Sequence, residues 1–95
     1  MGSFDVAHLH EQGQDMIIIP LDRQFHFKSD EEQDEIHDSL QVCASAAGLR
    51  GTVVLVWDGG GGRMAFRAPQ PWHPFFRSIN LTVVSQNINR TLTCG

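Results

Sequence analysis

The chain has 95 residues, room for one domain with one core, and its 41% hydrophobic and 19% charged residues are those of an ordinary soluble globule. No apolar run is long enough to span a membrane, and an opening that includes Asp5, His8, His10 and Glu11 lacks the basic start and apolar core of a signal peptide. The net charge of -4 hides a split: residues 1–49 carry ten carboxylates against Arg23 and Lys28, whereas residues 50–95 carry five arginines against Asp58. Halves charged this way pair within one chain or between copies of a dimer, or leave the basic half for an anionic partner.

Residues 4–11 and 15–21 read as two strands around the turn-like Gln12-Gly13-Gln14. Met16, Ile17, Ile18 and Ile19 form a buried-strand run that Pro20 ends or pushes to an edge. Residues 23–28 are a polar-aromatic connector with Phe25 and Phe27. Ser29 then opens a helix, because Ser29 and Glu32 make a capping box and Asp30, Glu31 and Glu32 sit at the positive end of the helix dipole. Ile36, Leu40, Cys43, Ala44 and Ala47 keep the helical period, so one stripe faces a sheet. Gly48 supplies a left-handed cap, with Leu49 placed to pack back on the last turn.

Residues 52–57 and 63–68 make a hairpin joined by Asp58 and four glycines, the expected middle of the sheet. Pro69-Gln70-Pro71 cannot continue a strand inside a sheet, and Trp72, Phe75, Phe76 and Ile79 then mark a short helix. Residues 81–85 and 87–94 read as closing strands. The order is ββαββαββ in a single domain over residues 1–95. It is an α+β fold in two layers, a mainly antiparallel sheet with one long helix packed on one face and a second short helix.

His8 and His10 form an H-x-H pair on one side of a strand, a geometry that can hold zinc, copper or iron. With Gly2 ahead of His8 at the spacing that family uses, the pair resembles the start of the cupin metal motif. That motif's glutamate is absent at Gln14 and Asp15, and the chain is too short for the cupin barrel. Two solvent-facing histidines are the competing reading. His26, His37 and His73 are scattered, and Cys43 on the apolar stripe reads as a free buried thiol, a poor nucleophile. Cys43 and Cys94 match neither a zinc site nor a redox CxxC, which suits a reduced chain in the cytoplasm. Asp58 and its glycines lack the helix and lysine that phosphate-cradling loops need, so they read as a hairpin tip. Arg63 and Arg67 lie opposite Met64, Phe66 and Ala68, with no aromatic beside them to stack a base, and nucleic acid is not an expected partner.

No motif names a reaction. The reading is a small non-enzymatic binding or interaction domain, cytoplasmic, without a cofactor or membrane contact. It self-associates as a dimer through a sheet edge or an exposed apolar patch. A cleft between the sheet and the short helix, lined by Trp57, Trp72 and Phe76 with Arg67 or Arg77 as anion anchor, would take a small apolar or anionic ligand. One alternative is a small metal-dependent or histidine-assisted enzyme using His8 and His10. Another is an acidic inhibitor resembling immunity proteins or antitoxins, whose helix bearing Glu31, Asp34 and Glu35 masks a basic site.

Overall fold

In a computed structural model, which describes residues 2–11 and 13–94, five strands form a sheet. They are β1 (Gly2–Glu11), β2 (Gln14–Pro20), β3 (Thr52–Asp58), β4 (Met64–Arg67) and β5 (Arg90–Cys94), in the order β4-β3-β2-β1-β5. Three of the four pairings are antiparallel, and β2 with β3 is parallel, in the register Ile18 to Val54. The parallel pair follows from the connection between them, a 3-10 turn (Arg23–Phe27) and the helix α1 (Asp30–Ala46), long enough to carry the chain back to the same end of the sheet. Of the expected first turn, Gln12 lies outside the described residues, and Gly13 has a φ of 78°.

The long helix starts where its sequence says. Ser29 accepts from the Glu32 amide and the Glu32 carboxylate accepts from the Ser29 amide, both at 3.2 Å. It ends at Gly48, whose φ of 83° lets the Leu49 amide donate back to the Ala44 carbonyl at 3.0 Å. Leu40 and Ala44 are buried, whereas Ala47, expected on the same stripe, is exposed. Gly51, just before β3, is needed for a different reason. Its φ is 128° and any Cβ there would collide with the Asp15 carbonyl of β2.

The α+β class holds, while three details differ from expectation. First, the hairpin of β3 and β4 stands at one end of the sheet, and β2 is its middle strand. Second, there are three layers. One face packs Val6, Ile17, Ile19, Val53, Leu55, Trp57 and Leu92 against Phe25 and α1; the other packs Ala7, Met16, Ile18, Val54 and Val56 against Phe76 and Val84. Burial on both faces is why β2 and β3 are unbroken apolar runs. Each wholly buried aliphatic side chain contributes about 1.5 to 3 kcal/mol.

Third, the residues expected as a strand at 81–85 form a helix. After a 3-10 turn (Gln70–Trp72) come α2 (His73–Arg77) and α3 (Leu81–Gln86), leaving β5 as the single closing strand. Asn80 caps α3, its side-chain oxygen accepting from the Val83 amide at 3.0 Å, and Leu81, Val84 and Ile88 then face the sheet at helical spacing. Packing on the second sheet face overrides the β preference of Val83 and Val84.

Cys43 and Cys94 are joined in a disulfide with Cα atoms 5.9 Å apart, which corrects the expectation of a free thiol in a reduced chain. The bridge ties α1 to the last residues of β5. No described helix is long and apolar enough to cross a membrane.

Candidate functional site

A hollow lies on the α1 face, at the end of the sheet where β2 stops and β1 starts. It is a groove of about 720 Å³. Phe25 and Leu40, both buried, form its floor, and the half-buried Phe4, Leu21, Ile36 and Cys94 line it without cover. Asp22, Lys28 and Glu35 stand among its polar lining residues. Each wall has a local cause. Alternation along β1 turns Phe4 to the same face as Val6, the Asp22 side chain caps the 3-10 turn through the Gln24 amide and so sets Phe25 inward, and Ile36 and Leu40 are one turn apart on α1. Phe25 also meets Trp57 edge to face at 4.7 Å between ring centres, which fixes the floor.

A polar link holds the helix over this face. Gln33, 7% exposed, donates from Nε2 to the Phe25 carbonyl at 2.9 Å and accepts at Oε1 from Arg67 Nη1 at 2.7 Å. Arg67 Nη2 also pairs with Asp34, and Asp30 lies 3.8 Å from Nη1. The basic and acidic halves of the chain thus meet within one copy at this point.

The five residues expected to line one cleft are not brought together. Trp57 is buried under the 3-10 turn, its indole donating to His26 Nδ1 at 3.3 Å. Arg67 lines a separate hollow of about 500 Å³ with His37, Phe66 and His73. Trp72 lies on the opposite sheet face, in a hollow of about 580 Å³ with Met16, Pro71, Pro74 and Phe75. Phe76 is core at 1% exposed, and Arg77 is exposed at the end of α2. The reason is the second helical layer: Trp57 and the Trp72–Phe76 group sit on opposite sides of a sheet covered on both faces.

His8 and His10 share one side of β1 but turn to different partners. His8 Nε2 donates to the Arg50 carbonyl at 2.7 Å, and His10 Nδ1 is 2.6 Å from Asp15 Oδ1 across the β1–β2 pair. The hydrogen bond from His10 holds the Asp15 carboxyl below the usual carboxylate range, with partial burial opposing and the charges of His10, His8 and Arg50 adding. Among the described residues, no three His, Cys, Asp or Glu side chains stand together in a way that could hold a metal ion. The open sheet is also not the barrel that the cupin resemblance would imply.

The remaining motifs serve the fold. In the glycine loop, Gly60 donates to Asp58 Oδ1 at 2.8 Å and Gly59 to the Arg63 carbonyl at 2.8 Å, closing a hairpin tip. Asn89 stands just before β5, accepting from the His8 amide at 2.9 Å and donating to the His8 carbonyl at 3.0 Å, so its side chain continues the β1–β5 ladder. The groove residues Leu21, Ile36 and Leu40 carry no motif. In the sequence Phe4 opens the first strand and Phe25 belongs to the polar-aromatic connector, and neither is marked as a site. Compared with protein-family models, curated proteins and solved structures, the chain matches none.

Proposed function

We propose that this chain is a non-enzymatic binding domain that takes a small apolar molecule in the groove beside α1 and works as a self-associated pair. The observation that carries the reading is the groove itself: Phe4, Leu21 and Ile36 remain half-exposed around a floor of Phe25 and Leu40, in a volume suited to a small organic ligand. Aromatic and aliphatic walls set affinity through area removed from water, while Lys28 and Glu35 set orientation. The Cys43–Cys94 bridge favours an oxidising compartment over the cytoplasm expected from the sequence, because disulfides are rare where cytosolic thiols keep cysteines reduced.

The test is a fluorescence titration with anilinonaphthalene sulfonate, followed by displacement with linear alkanols of increasing length. One probe binds per chain, and each added methylene tightens the competitor about fourfold, the equivalent of ~0.8 kcal/mol. Ile36→Glu, at a half-buried position on the groove wall, removes binding while the far-ultraviolet circular dichroism is unchanged. Absence of binding by the native protein, or equal binding by Ile36→Glu, would overturn the proposal.

A further inference from the structure

The two edges of the sheet are finished differently. On the β4 side the strand has four residues, Pro69 stands two residues beyond its end, and Arg67 is held by α1. β5, one residue longer and with a single charge, at Arg90, carries fewer of the devices that usually blunt an edge. It pairs with β1 on one side, contains no proline, and carries no charge between Arg90 and Cys94. Thr91 and Thr93 are exposed, and Leu92, at 1% exposed, anchors the strand to the core between them.

We propose that a second copy of this chain pairs along β5, antiparallel and centred on Leu92, making one continuous sheet from two. This rests on the reading that the domain self-associates, and it names the surface. The strand is complementary to itself in that register. Leu92 meets its equivalent, each Thr91 meets a Thr93 across the axis, and Arg90 of each copy falls opposite Cys94 of the other. Threonine pairs of this kind favour antiparallel pairing.

Alternation gives the register a consequence for the groove. Leu92 and Cys94 face α1, so Arg90, two residues before Leu92, is on that side too. The second copy's Arg90 therefore arrives beside Cys94, which lines the groove together with Glu35 and Asp22. Among the described residues, neither Arg90 nor Glu35 is in an ion pair within its own copy. The incoming guanidinium supplies a positive charge to a rim where, among the described residues, Asp22 and Glu35 face Lys28, and each copy thus completes the other's site.

Sedimentation equilibrium over a range of concentrations tests this with oxidised protein. The native chain shows a reversible dimer. The double variant Thr91→Lys and Thr93→Lys, which sets like charges directly opposite each other in both cross-strand pairs, weakens it at least tenfold with unchanged circular dichroism. Glu35→Arg weakens the dimer, and Arg90→Glu in the same chain restores it by exchanging the charges. A native dimer unaffected by the double lysine variant would overturn the β5 surface while leaving self-association standing. A native chain monomeric at every concentration would overturn both.

Discussion

Reducing the bridge between Cys43 and Cys94 removes the constraint that spans the largest part of the fold. The two cysteines are 51 residues apart in sequence, and the chain entropy that a loop of this size withholds from the unfolded state corresponds to about 4 kcal/mol at 25 °C. A domain of this length has a total stability of about 5 to 15 kcal/mol, so the loss is a large share of it. The midpoint of thermal unfolding should fall by about 15 to 30 °C. Urea unfolding followed by tryptophan fluorescence compares the oxidised protein with the same protein in dithiothreitol and with the Cys43→Ser, Cys94→Ser variant. The reduced and serine forms should agree. Hydrogen exchange should show β5 losing protection first, since that strand is held by β1 along one side and by the bridge at its end. A stability difference below about 1 kcal/mol, or two titratable thiols in protein purified without reductant, would refute the reasoning.

Three further perturbations have worked directions. Asn89→Ala removes the side chain that donates to and accepts from the His8 backbone, and should cost about 1 to 2 kcal/mol in urea unfolding, with a change under ~0.3 kcal/mol contradicting it. Arg67→Ala leaves the buried Gln33 oxygen without its donor and should cost about 1 to 2 kcal/mol; its ion pairs with the exposed Asp34 and Asp30 add little, so the loss should persist in 0.5 M salt. The Asp15 carboxyl is held down first by its hydrogen bond from His10, so its contribution to stability is complete above its unfolded pKa and is lost as pH falls through the lower folded value. Carbon-detected NMR should find Asp15 titrating below an ordinary aspartate and His10→Ala should raise it; an unchanged Asp15 in that variant would contradict the assignment.

Where sequence and structure agree, one local rule decided the element. Ser29 with Glu32, the 3.6-residue spacing of Ile36, Leu40 and Ala44, and Gly48 each fix α1 without reference to the rest of the chain. The differences come from tertiary context. The unbroken run Val53, Val54, Leu55, Val56 is buried on both faces where the sequence reading expected two layers, and the third layer's second helix was concealed in Leu81, Thr82, Val83 and Val84. Those residues suit a strand by propensity and a helix by period. Asn80, as a cap, is what separates the two readings. The position of the hairpin at one end of the sheet was not legible, because it depends on the crossover through α1 that brings β3 beside β2 in parallel.

The groove was hidden for a different reason. Its walls come from β1, the end of β2, the 3-10 turn, α1 and the end of β5, segments that no sequence window contains together. Aromatic residues were a fair signal for a cleft, and Phe4 and Phe25 do line one, but the tryptophans that drew attention went into the core or onto the far face. The cysteines carried more information than their spacing showed. Cys43 is on the helix stripe one turn after Ser39 and Leu40, and Cys94 is on β5, so the bridge stands beside the groove and beside the free edge of the sheet at once. A small domain that cannot bury enough apolar surface to hold an edge strand by packing alone gains most from a crosslink placed there. That placement ties β5 to α1 and leaves its outer side unpaired in the sheet, the side along which the proposed second copy would add.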